Sequence, residues 1–597
     1  MRQRLLYLIK FYLVTVLLFV VAKIAFMLIN HEGHDFTATD VWQVVRHGLS
    51  LDLSTSLYLL IIPFLVAMVA IWADGKWTKI TLRVYSIFIA TMMMLAFVAD
   101  TSLYPFWGFK LDASCLQYLE SPTEAGASVS GLYLTVRFVV LLIGIWLVYR
   151  LYKCIPLWNN RPRYRRISTL GGVLLIPLIV IGIRGGLDES TTNIGQVYYS
   201  QDQFLNHAAV NPVFSFLASY EKTASDNTNY DYYQAEECNK LLAGLYPTES
   251  IIGDTLLNTQ RPNVVVILLE SCGEIFQEVM PNFNQLKREG IWFSNCYGNS
   301  FRTDRGTVCA LSGYPSFPTT SVMKIPKKAG TLPSIAKTLQ KEGYATSYLY
   351  GGDINFTNMR SYLIATGWEK LHWKADYTSE EQRSAEWGVR DDITFKTLFD
   401  QICASDTTGH FLMGYSTLSS HEPWDVPIQK YDDKEKNAFS YLDDCIGKFV
   451  SQLKTTPYWR DLLIVMIPDH GVNYKDIDET RQVRNHIPML WVGGAVKAPK
   501  EIKTICNQTD LPATLLGQMG FPHGEFTFSR DVTSQNYTKP LAFHSFTNGF
   551  SIVDSTGFTV VDLNIDQVIV DQSKDSQHHM QLGKAILQVT AKDLKER

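Results

Sequence analysis

The chain has 597 residues, too many for one hydrophobic core, and a formal charge of only −4, which excludes the basic surface that a nucleic-acid partner demands. Its apolar fraction of 46% is ordinary as an average, but most of the excess lies in the first third. The nine cysteines form no CxxC pair, which excludes the usual thiolate zinc and dithiol redox motifs. Their odd number leaves at least one thiol free, and Cys272, Cys296 and Cys309 are expected as small buried hydrophobes.

Taken from the amino terminus, residues 5–29, 50–73, 79–99, 131–152 and 167–184 are five apolar stretches near the roughly 20 residues needed to cross a bilayer as a helix. The first is too long, and lacks the small-residue cleavage site, to be a signal peptide. Arg2 and Arg4 precede the first stretch, Lys76 and Lys79 lie between the second and third, and Arg150, Lys153, Arg161, Arg163, Arg165 and Arg166 crowd the fourth connection. If all five span, these segments share one face, and the positive-inside rule makes it the cytoplasm. Everything after Arg184 is then extracytoplasmic. Tyr104, Pro105, Phe106, Trp107 and Phe109, in the loop expected from Asp100 to Ser130, read as anchors at the membrane interface.

From 185 to 262 the composition turns polar, as in a linker, with helical apolar spacing from Pro212 to Tyr220. Beyond it, strand candidates at 263–270, 291–296, 345–350, 410–416, 462–467 and 488–492 alternate with helical stretches such as 332–342 and 436–453. This alternation predicts an α/β domain with a mostly parallel central sheet covered by helices. A small β-rich region over 550–570 and a polar helix over 578–595 follow. The organisation expected is a five-helix transmembrane domain (1–184), a linker with short helices (185–262), a catalytic domain (263–540) and a small carboxyl-terminal sheet and helix (541–597).

Two of the strands carry chemistry. Asn263-Val-Val-Val-Ile-Leu-Leu-Glu270 and Leu462-Leu-Ile-Val-Met-Ile-Pro-Asp469-His470-Gly471 are β-branched apolar runs that stop on metal-type ligands. In open α/β sheets the crevice lies at the carboxyl ends of the strands, so Glu270, Asp469 and His470 are expected to meet. Two carboxylates and an imidazole suit one divalent ion, manganese or magnesium ahead of zinc, since no thiolate is indicated. Between them, Asn299-Ser-Phe-Arg-Thr303-Asp-Arg-Gly-Thr307-Val-Cys-Ala-Leu-Ser-Gly313 is a polar turn that flows into a helix. A hydroxyl at such a start is acidified by a metal, and the helix terminus favours an anionic substrate. Thr303 is the candidate nucleophile.

These residues, together with the five amino-terminal helices, Ser420-His421-Glu-Pro-Trp424, Pro468-Asp469-His470-Gly471 and Gln508-Thr-Asp-Leu-Pro-Ala-Thr514, resemble the lipoteichoic acid synthase type of phosphoglycerol transferase, of the sulfatase and alkaline phosphatase superfamily. The resemblance implies that Glu270, Thr303, Asp469 and His470 bind one manganese-like ion and that Thr303, rather than Thr307, is loaded with the headgroup. It places His421, Asp353, Arg360 and Arg302 on the substrate side. It also implies a phospholipid donor such as phosphatidylglycerol, a polymer, glycan or lipid acceptor, and a place in a bacterial cytoplasmic membrane with the catalytic domain outside. The chain departs from the family at one point. Where the family has Phe-Trp-Asn-Arg, this sequence reads Phe356-Thr-Asn-Met-Arg360, with Thr357 and Met359 at the tryptophan and arginine places. Arg360, Arg302 and Arg305 are the substitutes at hand for the phosphate.

Three classes of function remain at this point. One is a headgroup transferase carrying phosphoglycerol or phosphoethanolamine. Another is a metal-dependent phosphatase or phosphodiesterase that releases its group to water. The last is a lipid-headgroup sensor without chemistry, which predicts a missing nucleophile or ligand, whereas all four places are filled. A true sulfatase is disfavoured because Cys309-Ala-Leu-Ser-Gly313 lacks the C/S-x-P/A-x-R setting of an aldehyde nucleophile.

Overall fold

The computed structural model describes residues 1–113, 115–116, 131–159, 161–225, 230–247, 249–251, 253–406, 408–471, 474–475 and 477–597, without the side chains of 106–107 and 221–225. The chain divides into two compact units, Met1–Asn227 and Thr228–Arg597.

In the first unit five helices are long and apolar enough to cross a membrane: Arg2–Ile29, Ala38–Val69, Lys76–Pro105, Gly131–Lys153 and Arg165–Arg184. The second begins twelve residues before the apolar run expected from 50, because Thr37 and Asp40 form a reciprocal cap in which each side chain accepts the other's backbone N–H. Hydropathy does not register such a polar first turn. The third helix runs to Trp107, through what the sequence reading took for a loop. Tyr104 is buried, not an interfacial anchor. Its ring lies 4.8 Å from that of Phe26 and its hydroxyl 3.0 Å from His207 Nδ1. The side chains of Phe106 and Trp107, and residues 117–130, lie outside the described residues. Three ion pairs involve these helices: Lys23 with Asp52, Asp100 with Lys110, and Arg4 with Asp74 at 3.2 Å.

The second unit is built on an eight-stranded sheet. Its strands are β1 (Asn263–Leu269), β2 (Ile291–Phe293), β4 (Tyr344–Tyr350), β5 (Lys370–Trp373), β6 (His410–Ser416), β7 (Leu462–Pro468), β8 (Met489–Val492) and β9 (Lys500–Ile502), in the order β5-β4-β6-β1-β7-β8-β2-β9. The strands from β5 to β7 run parallel, and β8 turns antiparallel. β3 (Cys296–Tyr297) pairs with β10 (Cys506–Asn507) in a short ladder of its own. Four antiparallel strands, β11 (Leu541–Phe546), β12 (Gly549–Asp554), β13 (Gly557–Asp562) and β14 (Gln567–Ser573), and a helix over Ser576–Glu596 complete the chain.

β1 and β7 are the core of this sheet. Val264 to Leu269 and Leu462 to Pro468 are buried along their whole length, as strands covered on both faces must be. β1 pairs with β7 so that Leu269 faces Pro468, with β6 so that Leu268 faces Ser416, and β6 with β4 so that Ser416 faces Tyr350. The four strands therefore end level, and whatever follows each of them is delivered to one crevice. All nine cysteines are free, with Cys272, Cys296 and Cys309 buried as expected.

Candidate active site

Glu270 and Asp469 are the first residues past β1 and β7. Both are buried, and with His470 they bring three ligand atoms within 4.8 Å of one another. The turn after β1 is tight, with Ser271 at φ 54°. From there Ser271 donates its hydroxyl to Glu270 Oε1 at 2.7 Å and its backbone N–H to Asp469 Oδ1 at 2.9 Å. Behind Glu270, the Thr417 hydroxyl accepts its N–H at 2.9 Å, and the Ser420 hydroxyl donates to its carbonyl at 2.6 Å. The ligand turn is thus fixed by the strand on each side.

Thr303 opens the Thr303–Ser312 helix and donates its hydroxyl to Glu270 Oε2 at 3.2 Å. The helix stops at Gly313, which takes the left-handed conformation at φ 61° and returns its N–H to Cys309. Its approach to the sheet requires Gly306, because a Cβ there would lie 1.8 Å from the Asp469 carbonyl oxygen. Thr307, the other threonine on this helix, is wholly buried. Of the two threonines, Thr303 meets the acidic cluster.

The electrostatics are those of a cation site. Burial, and then the Asp469 charge beside it, push the Glu270 carboxyl well above the usual carboxylate range, against the hydrogen bond from Ser271. No lysine or arginine pairs with either carboxylate among the described residues. Asp469 Oδ1 accepts the N–H groups of Ser271 and His470, whereas Oδ2 is buried without a hydrogen-bond partner. His470 Nδ1 is 2.7 Å from the Gly471 carbonyl, which assigns the ring proton to Nδ1 and leaves the Nε2 lone pair 3.8 Å from Glu270 Oε1 and 3.7 Å from Asp469 Oδ2. Like charges, an orphaned carboxylate oxygen and an aimed imidazole lone pair fit one divalent ion. Glu270, Asp469 and His470 would hold it, with the Thr303 hydroxyl alongside.

A cavity of about 590 Å³ opens over this cluster and is lined by Thr303, His470 and, among the other expected residues, Arg302 and His421. His421 is pinned by its Nδ1, 2.8 Å from the Glu422 carbonyl, and by the Trp387 ring at 4.6 Å. Three other candidates are placed elsewhere. Asp353 accepts the backbone and side-chain N–H groups of Asn355, both at 3.0 Å, and holds a local turn. Burial lowers the Arg360 pKa, opposed by Asp376 and Asp353 nearby, and its side chain is not on the cavity wall. Met359 lines the cavity instead, as does Thr357. Arg305 donates to the carbonyls of Phe317 and Thr319 at 3.3 and 3.2 Å and is committed to the fold.

Sequence reasoning missed Lys324, Tyr350, Trp387 and Arg484 on the same wall. Tyr350 had a usable signal, since it ends a strand as Glu270 does. Lys324, Trp387 and Arg484 sit in irregular segments where no periodicity aims a side chain.

Residues 262–521 match the family model described as Sulfatase. The match takes in less than half of the chain. The chain is similar to phosphoglycerol transferase I of Xanthomonas campestris pv. campestris, 25% identical over 330 residues that cover 48% of this chain and 47% of that protein. It is also similar to lipoteichoic acid synthase 2 of Bacillus subtilis, 23% identical over 358 residues, covering 53% of this chain and 54% of the other. The chain therefore spans about half the length of the curated relatives it matches. Among solved structures, a protein in the alkaline phosphatase superfamily from Vibrio parahaemolyticus superposes with a TM-score of 0.54 at 24% identity, over 62% of this chain and 98% of that one. The lipoteichoic acid synthase LtaP from Listeria monocytogenes does so with a TM-score of 0.50 at 16% identity, over 61% and 98%. These likenesses show an alkaline phosphatase-like α/β fold, as the sequence led one to expect.

Proposed function

We propose that this protein is a membrane-bound transferase that moves phosphoglycerol from phosphatidylglycerol to an extracytoplasmic hydroxyl, polymer, glycan or lipid, through a covalent intermediate on Thr303. The observation that carries this reading is the Thr303 hydroxyl, hydrogen-bonded to Glu270 inside a cluster shaped for a cation and open to a cavity. Residues 1–184 tether the protein in a bacterial cytoplasmic membrane and 263–540 perform the chemistry on the outer side, with 185–262 as connection and 541–597 as appended support. The basic residues of the cytoplasmic connections support this orientation.

Thr303 Oγ1 gives its proton to Glu270 Oε2 as it attacks the donor phosphorus, and the P–O bond to diacylglycerol breaks. His421, whose Nδ1 faces the Glu422 carbonyl, has its Nε2 to give a proton to the leaving oxygen and, in the second half, to take one from the incoming hydroxyl. Arg302 faces the same cavity with a positive charge for the phosphate. Glu270, Thr303, Asp469 and His470 would hold a divalent ion, manganese in this reading with magnesium or zinc as alternatives, which would supply positive charge to the phosphoryl group and favour loss of the Thr303 proton.

A second reading, phosphoethanolamine transfer, is favoured by one observation. Phe356 and Trp387 stand edge to face at 6.3 Å on the cavity wall, a surface that attracts an ammonium group. Intact-protein mass after incubation with manganese and either phosphatidylglycerol or phosphatidylethanolamine decides between them. An adduct on the native chain and none on Thr303→Ala supports the transferase, and its mass names the headgroup. Diacylglycerol without any adduct points to direct hydrolysis, and neither product overturns the proposal.

A further inference from the structure

Arg484 is the most deeply buried cation on the cavity wall. It lies in a short turn, Gln482–Asn485, on the way from β7 to β8, and its side chain is 7% exposed. One nitrogen, Nη2, reaches Glu479 Oε1 at 3.5 Å, a long contact. Glu479 is itself held by His544 Nε2 at 2.9 Å and Asn485 Nδ2 at 3.2 Å, so the carboxylate that orients the guanidinium is shared among three groups. Nε and Nη1 are buried and have no hydrogen-bond partner among the described residues.

A structural ion pair does not account for this arrangement. A guanidinium placed to support a fold spends its donors on carbonyls or a carboxylate, as Arg305 and Arg530 do here. Leaving two donor nitrogens dry costs free energy that one long contact to Glu479 does not return. The position is also a close one. A Cβ on Gly471 would fall 3.1 Å from Arg484 Nη1 and 2.1 Å from the Arg484 carbonyl, so the absent side chain of Gly471 lets the arginine lie against the residue after His470. Meanwhile Met359 occupies the cavity wall at the place where the resemblance led one to expect an arginine.

We propose that Arg484 is the phosphate-binding arginine of this site, its two unpaired nitrogens taking an oxygen of the substrate phosphodiester and of the phosphothreonine formed from it. This rests on the transferase reading for the identity of the substrate, but not for the recognition of a phosphoryl oxyanion. Guanidinium donors in a dry setting are matched to that anion by charge and by their fork geometry. Glu479 sets the fork from behind. Arg302, exposed to solvent, supplies a weaker and screened charge.

The test uses the full chain in detergent, loaded with manganese, as wild type, Arg484→Lys and Arg484→Met. The first readout is inorganic phosphate binding by calorimetry, which requires no turnover. The second is diacylglycerol release from phosphatidylglycerol, and metal content and melting temperature are followed in parallel. Arg484→Met is expected to weaken phosphate binding and kcat/KM by about tenfold to a hundredfold, with manganese stoichiometry unchanged. Arg484→Lys, which keeps the charge and loses the fork, is expected to fall between. If Arg484→Met does not fold, Arg484→Lys decides. Phosphate affinity equal to wild type in a folded variant overturns the proposal. If wild type binds phosphate through Arg484 but releases no diacylglycerol, the transferase reading fails and the arginine assignment stands.

Discussion

Asp510 and the pair Glu270 and Asp469 are withdrawn from water to the same degree, yet they keep opposite company. Asp510 receives Nε and Nη2 of Arg530 at 2.8 and 2.6 Å, the N–H of Asn507 at 2.9 Å and the Tyr537 hydroxyl at 3.1 Å. Its charge is neutralised and its lone pairs are filled. Glu270 and Asp469 face each other, and one Asp469 oxygen has no hydrogen-bond partner among the described residues. The first arrangement is stable once made and costly to break. The second is unfavourable until a cation arrives, which is how a protein stores binding energy for a ligand at the expense of its empty state.

Three substitutions sharpen or break that contrast. Thr303→Ala and Glu270→Gln are expected to reduce diacylglycerol release by about a thousandfold or more. Glu270→Gln should also raise the melting temperature of chelator-treated protein, because it removes a like charge, and a fall there would break the comparison. Asp510→Asn should do the reverse, costing about 3 to 5 kcal/mol in urea unfolding by stranding Arg530, with manganese per folded molecule unchanged.

The next effect is a pH dependence. Burial pushes the Asp391 carboxyl up to about 6, although the N–H groups of Leu418 and Ser419 and the Tyr415 hydroxyl favour its charge. The folded protein then holds this proton more tightly than the unfolded chain. The stability it contributes is full below the ordinary value of 3.8 and is lost as pH rises to 6. The loss is about 3 kcal/mol, and Asp391→Asn should flatten that part of the urea-midpoint profile between about pH 4 and pH 6.5. Smallest is Arg302→Ala, expected to raise KM by about threefold, since its charge is screened by water.

The site was legible where the backbone leaves a side chain no choice. Glu270 and Asp469 end the two strands whose apolar runs are unbroken, and Thr303 begins a helix after a polar turn, so position in the sequence determined position in space. β5 and β9 escaped notice because they are short, and their exposed residues carry no apolar run. Arg360 and Asp353 were drawn toward the substrate by their neighbours in sequence, but burial and a local turn took them elsewhere. Tyr104 looked like a membrane anchor because composition cannot say which way a ring points. The ion pairs of Arg4 with Asp74 and Lys23 with Asp52 were equally hidden, each joining residues that no local spacing relates.

The pairing of Asn263 with Leu462 has a consequence in time. The strand that ends on Glu270 is synthesised long before the strand that ends on Asp469, and neither is fully buried without the other. Contacts so remote in sequence form late. A growing chain therefore carries its threonine and its first carboxylate past the ribosome as inert residues. The cation site can assemble only when translation has passed His470, by which point the five apolar helices of the first unit have long been made.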